Sequence, residues 1–272
     1  MKKLTFLLVI VLFFSCRETM PDIPDNPPPP PTERKVLIEE FTGVDCAGCP
    51  FGSEELELLS SQFGENLVIV SIHTSDFGTP FPNSQHDFRT TEAEEIADYL
   101  GRPGQYPSAV IDRKDFDGGA YFLQLGKQEW VGYINQELEK EPQLNVNITK
   151  EYDSSIRELK VKVSGLANED IVGELRLTIM IVENNIVDPQ RKEGVGIIDD
   201  YNHKHVFRKT MTNPTGDQLS TSLLKGDSYD VDYSMVLSED WKPENCEIIA
   251  FVNLIDGQNK EILQADSEHV ED

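Results

Sequence analysis

Val36-Leu37-Ile38-Glu39-Glu40-Phe41-Thr42-Gly43-Val44-Asp45-Cys46-Ala47-Gly48-Cys49-Pro50 is the stretch that decides how this chain is read. Its first six residues are an apolar run interrupted only by the two glutamates, which reads as a short buried strand. The Cys-x-x-Cys-Pro that follows places two sulfurs one helical turn apart at the start of a helix. Leu56, Leu59 and Phe63 supply the helical spacing. A thiol at a helix N-terminus is favoured as thiolate by the helix dipole and the unpaired backbone N–H groups. Three uses of the pair are open at this level: a dithiol that turns over, a permanent disulfide, and half of a metal site. Zinc would need two more ligands, and neither a second Cys-x-x-Cys nor a matching histidine pair lies near in sequence.

Outward from this stretch, Leu67 to Ile72 reads as a second buried strand ending at His73, and Thr91 to Leu100 as a helix with Thr91 and Glu94 placed as a capping box. Tyr106-Pro107 leads into the strand Ser108 to Asp112. Asp117-Gly118-Gly119 is a turn signal, and Tyr121 to Glu139 has the pattern of a long amphipathic helix ending before Pro142. The order strand, CxxC, helix, strand, helix, X-Pro-strand, helix resembles a thioredoxin-like domain over residues 36–141. That resemblance implies roles for particular residues. Glu40, six residues before Cys46, stands where thioredoxins carry a buried acid, and Pro107 stands where they carry a cis-proline, with Tyr106 beside it facing a client. Cys46 would attack, Cys49 would resolve the mixed disulfide, and Glu40 would take the proton of Cys49. Read from the residues alone, Glu40 is equally a strand-end carboxylate facing solvent. The chain departs from the pattern in using Glu for Asp, in approaching the motif through Thr42 to Asp45, and in showing no clear fourth strand around Arg113 to Ala120.

Charge bears on the direction of electron flow. Ala47-Gly48 offers no side-chain donor between the sulfurs, Asp45 is adjacent, and Glu54, Glu55 and Glu57 follow in the helix. These acids oppose a thiolate on Cys46, which favours a reductant or isomerase over an oxidant.

Beyond Pro142 the rhythm changes to short strands separated by turns: Leu144 to Lys150, Ile156 to Val163, Glu174 to Glu183, His205 to Met211, Tyr229 to Leu237, Glu247 to Ile255 and Glu261 to Ala265. Seven such runs predict an immunoglobulin-like antiparallel β-sandwich over residues 142–272. The fold class is thus α/β plus all-β, a thioredoxin-like domain followed by a sandwich. His203-Lys204-His205 puts two imidazoles on one side of a strand downstream of Asp199 and Asp200, a paired polar face before it is a metal site. Cys246, before an apolar run, reads as a buried inert thiol. Nothing in the sequence calls for a cofactor.

The N-terminus reads as an address. Lys2-Lys3, an apolar core from Leu4 to Phe14 and Ser15-Cys16 form a signal peptide over residues 1–15 with a lipobox-like end, making Cys16 the lipidation site. Residues 16–35 carry Pro21, Pro24 and Pro27 to Pro31, an extended tether that at ~3.1 Å per residue reaches roughly 50 Å from the lipid. With 49 acids against 24 bases the net charge is -25, which excludes an unaided binder of nucleic acid.

The whole chain resembles the 28-kilodalton outer-membrane-protein-related lipoproteins of the Bacteroidetes type. Cys16, the blocks Glu39 to Gly43 and Cys46 to Pro50, Tyr201 to Arg208 and Ile262 to Ala265 carry the likeness. It implies a lipid-anchored outer-membrane protein and brings no activity with it. Two functions follow from the site: a thiol-disulfide oxidoreductase acting on envelope protein clients or a redox partner, and a non-catalytic lipoprotein whose CxxC is a structural disulfide.

Overall fold

The computed structural model describes residues 33–116, 121–124 and 129–271. The signal sequence, Cys16, most of the tether and the turn at Asp117-Gly118-Gly119 lie outside these residues. Among the described residues no helix is long and apolar enough to cross a membrane.

The first half contains β1 (Val36–Thr42), α1 (Cys49–Phe63), β2 (Leu67–His73), α2 (Thr91–Leu100), β3 (Ser108–Ile111), β4 (Leu123–Gln124) and α3 (Glu129–Leu138). β1 lies parallel to β2 and antiparallel to β3. Every residue of β1 and β2 is buried, as continuous apolar runs require when helices cover both faces. Leu56 and Leu59 of α1 pack with Trp130 and Ile134 of α3 against Val36, Ile38 and Ile69. Ala93, Ile96, Ala97 and Leu100 of α2 cover the opposite face through Leu37, Phe41, Val70 and Ile72. Two expectations are corrected here. The cap of α2 is Thr90, whose hydroxyl accepts from Ala93 N at 3.0 Å, while Glu94 turns away to accept from Ser75 N. The helix expected from Tyr121 does not include Leu123, which pairs with Ala109 as the short fourth strand and whose carbonyl accepts from the Trp130 indole; the described helix is Glu129–Leu138.

The second half adds ten strands: β5 (Asn147–Asp153), β6 (Glu158–Leu166), β7 (Ile171–Glu183), β8 (Ile186–Lys192), β9 (Gly196–His203), β10 (Val206–Thr210), β11 (Asp217–Leu223), β12 (Ser228–Val236), β13 (Cys246–Ile255) and β14 (Ile262–His269). These strands do not form a separate pair of sheets. A nine-stranded sheet runs β14-β13-β7-β10-β2-β1-β3-β4, with β11 also on β7, so residue 141 divides the chain but not the sheet. The seam is narrow: Val206 registers with Ser71, and Ser71 N donates to His205 O at 2.7 Å. β7 is the spine. Its Leu175, Leu177, Ile179 and Ile181 face Leu159, Val161 and Val163 of the three-stranded sheet β12-β6-β5, forming a two-layer core. Its Met180 and Val182 face the other way, with Phe207 and Phe251, into the core beneath α2. Strand periodicity of two thus lets one strand serve both halves. β8 and β9 pair only with each other.

Candidate functional site

β1 delivers the motif. Its last residues pass into a turn in which Cys46 N donates to Gly43 O and Cys49 N to Cys46 O, and Cys49 opens α1 with Pro50 in its first turn. Proline suits that place because the first helical N–H groups have no partner to lose. Gly43 is required here, since a Cβ on it would lie 2.5 Å from the backbone of Phe77, whose carbonyl accepts from Asp45 N. Cys46 and Cys49 are joined as a disulfide with a Cα separation of 5.4 Å.

Beneath the motif lies Glu40, 0 % exposed. Gly52 sets how closely α1 approaches it: a Cβ there would sit 2.5 Å from Glu40 Oε1 and 3.0 Å from Pro107 Cβ. The Ser71 hydroxyl donates to Glu40 Oε2 at 3.1 Å, and Oε1 has no hydrogen-bond partner. Burial pushes the carboxyl up to about 8, against the lowering effect of the Ser71 hydrogen bond. The solvent-facing alternative for Glu40 is therefore set aside. The Tyr106–Pro107 peptide is cis, and a Cβ on Gly48 would be 3.7 Å from Pro107 Cδ, so this loop lies against the motif. Tyr106 faces sideways, its hydroxyl meeting Thr74 Oγ1 at 2.5 Å and Asp76 Oδ2 at 2.9 Å. Its phenol is raised, chiefly by burial.

The β8–β9 hairpin closes the front of the site, and sequence reasoning missed it. Arg191 N donates to Val44 O and Glu193 N to Ala47 O, both at 2.8 Å, while Gln190 Nε2 donates to Gly43 O and Cys46 O. Ile186 packs with Val44, Phe88 and Val206. Cys46 is left only 4 % exposed and Cys49 1 %. Three of the four acids expected to oppose a thiolate are paired from this side: Asp45 with Arg191 at 2.6 Å, Glu54 with Lys192 and Glu57 with Lys204. An unpaired acidic field at Cys46 was the expectation; basic residues some 140 positions downstream correct it.

The histidines also part from expectation. The chain turns between β9 and β10, with His205 at φ 52°, so His203 and His205 do not share a strand face. His203 points inward, its ring 5.9 Å from His73, with Phe88 4.9 Å from both. Burial lowers His73 to about 3 and His203 to about 4, so both are neutral. Cys246 is fully buried and burial pushes its thiol up to about 12.

The described residues thus define a mixed α/β protein, mostly β, with a CxxC disulfide at a helix N-terminus over a buried acid. The chain belongs to the family of outer membrane protein Omp28, whose match covers residues 94–272. That match begins inside α2 and leaves Cys46 and Cys49 outside it. No curated protein sequence matches the chain. Among solved structures, HBP35 of Porphyromonas gingivalis is similar at 19% identity, covering 87% of this chain and 75% of that one with a TM-score of 0.67. A structural-genomics target from Agrobacterium tumefaciens is similar at 15% identity, covering 89% and 96% with a TM-score of 0.53. A domain of the outer membrane lipoprotein Omp28 from Porphyromonas gingivalis aligns at 16% identity over 47% of this chain and 88% of that domain, with a TM-score of 0.31.

Proposed function

We propose that this chain is a lipid-anchored protein of the outer membrane whose first half is a thioredoxin-like thiol-disulfide site of reductase or isomerase type, acting on envelope proteins, with the second half a two-layer β-sandwich, joined to it through the shared sheet, that holds and spaces it. The observation that carries the oxidoreductase reading is the half-satisfied carboxyl of Glu40 beneath the pair. A disulfide that only stiffens a loop has no need of a buried acid, and an orphaned carboxyl oxygen costs stability. In this reading Cys46 Sγ attacks a client disulfide, Cys49 Sγ then attacks Cys46 to release the client as a thiol, and Glu40, once its own proton has left, takes the Cys49 proton. Pro107 and Tyr106 form the edge against which the client lies. The direction of flow rests on Ala47-Gly48, which offers the thiolate no side-chain donor, because Asp45, Glu54 and Glu57 are paired. Cys16 carries the lipid, and the proline-rich tether separates it from β1.

A second reading is favoured by the 4 % exposure of Cys46: a structural disulfide sealed by the hairpin. One experiment separates the two. Cys49→Ser expressed in the native envelope, acid-trapped and resolved without reductant, is expected to carry envelope proteins on Cys46 as mixed disulfides and to fractionate with membranes. No adducts, together with a wild-type pair that resists dithiothreitol in the folded protein, would establish the structural disulfide instead. A water-soluble protein without lipid mass would remove the anchor.

A further inference from the structure

Behind the motif, between α1, β2 and β9, lies a cavity of about 140 Å³. Ser71 and His73 of β2 line it on one side and Tyr201 and His203 of β9 on the other, while Glu54, Glu57 and Lys204 form an exposed rim. Three observations lead from this cavity to Glu40. Ser71 lines it and also donates its hydroxyl to Glu40 Oε2 at 3.1 Å. The backbone N–H of Ser71 is committed to His205 O, so the hydroxyl is the donor it offers Glu40. His73 Nδ1, buried on the same wall, has no protein partner, and neither does Glu40 Oε1. A polar cavity of this volume has room for several water molecules beside Ser71 and His73, and Glu40 is reached from it through the Ser71 hydroxyl.

We propose that Ser71 and this cavity, walled by β9 of the second half, are the route by which Glu40 exchanges its proton with solvent, Ser71 acting as a positioning residue. The use of the route rests on the thiol-disulfide reading; its existence does not. When the pair is reduced, an incoming thiolate sulfur bonds to Cys46 Sγ, the Cys46–Cys49 bond breaks, and its electron pair leaves on Cys49 Sγ. Glu40 gives that sulfur a proton and recovers one from cavity water through the Ser71 hydroxyl. Burial keeps the carboxyl protonated at neutral pH, so the proton is there to give. The second half thereby enters the chemistry: removing Tyr201 and His203 would open the cavity to bulk water, and filling it would isolate Glu40.

Infrared difference spectra of wild type minus Glu40→Gln isolate the Glu40 carboxyl band, and transfer to heavy water gives its exchange rate. Ser71→Val removes the hydroxyl and blocks the wall, Ser71→Thr keeps the shape of valine and restores a hydroxyl, and Tyr201→Trp fills the cavity from the other side. Ser71→Val and Tyr201→Trp are expected to slow exchange roughly tenfold or more, to the rate of local opening, with Ser71→Thr close to wild type. Wild-type exchange in both blocked variants overturns the proposal, and Tyr201→Trp decides alone if Ser71→Val does not fold. Reduction by dithiothreitol, followed by mass tagging of thiols, reads the other half: Glu40→Gln is expected to slow it by about a hundredfold near neutral pH. A blocked route with unchanged reduction in Glu40→Gln leaves the route standing and sinks the oxidoreductase reading.

Discussion

Glu39 and Glu40 are neighbours on one strand, both 0 % exposed, and the pleat sends them to opposite faces with opposite outcomes. Glu39 meets Arg113, itself fully buried, through two hydrogen bonds of 2.9 and 2.7 Å, and the guanidinium lies 4.7 Å from the ring centroid of Phe251. That carboxylate is a bolt between β1, the loop after β3 and the second half. Glu40 meets one hydroxyl and leaves an oxygen orphaned, under the first turn of α1. The difference teaches that burial alone does not mark a functional acid. A carboxylate answered at both oxygens reads as architecture; the half-answered one beside the disulfide is the one the proposed chemistry calls on.

The largest effect expected from this contrast is on stability. Glu39→Gln leaves Arg113 buried without its counter-charge and should cost about 3–5 kcal/mol in urea denaturation, whereas the paired change Glu39→Leu with Arg113→Met should recover most of it. A mild single variant would break the contrast on its architectural side. Next comes the pH dependence of Glu40. Its folded pKa of about 8 lies above the ordinary 4.5, so its contribution is fully present below about 4.5 and is lost as pH rises to about 8. Wild type should therefore lose stability relative to Glu40→Gln across that window, by on the order of 5 kcal/mol. Unfolding curves of the two proteins at several pH values measure it, and parallel pH profiles would show that Glu40 is charged and solvated like any surface acid. The smallest effect concerns the hairpin. Arg191→Ala with Lys192→Ala and Lys204→Ala removes three partly exposed ion pairs, each worth roughly 0–1 kcal/mol. Stability should barely move, while iodoacetamide labelling of Cys46 in the reduced protein should rise severalfold, as should labelling of wild type at high salt. Labelling that ignores both changes would mean that backbone contacts alone hold the cover.

Much of the first half was legible because its information is local. The apolar run of β1, the CxxC-Pro and the Pro-led β3 each announce an element without help from elsewhere. β4 was missed because two residues are too few for any period to register, and the amphipathic pattern after Tyr121 imitated a helix. β8 was missed for a different reason. Ile186-Val187-Asp188-Pro189-Gln190-Arg191-Lys192 has a proline and three charges, and β9 is largely polar. Their order comes from docking on the motif, and a lone two-stranded ribbon is marginal by itself. The partners of Asp45, Glu54 and Glu57 were hidden by the same distance. Glu40 could be nominated from the resemblance to thioredoxins, which carry a buried acid at that place, yet its burial depends on Gly52, whose missing side chain carries a meaning visible only once Pro107 and Glu40 converge on it. The shared sheet was invisible because an alternating strand such as β7 reads the same whether its second face meets water or another half of the protein.

The separation in sequence between the motif and its cover also sets a timetable. Synthesis runs from the N-terminus, so Cys46 and Cys49 emerge some 140 residues before Gln190 and Arg191 exist to close over them. In that interval the edge of β2 that will receive Val206 is bare, and the apolar face of α2 waits for Phe207 and Phe251. Contacts of such long range form late. The sulfurs of a growing chain are thus uncovered until the segment that leaves Cys46 only 4 % exposed has been made.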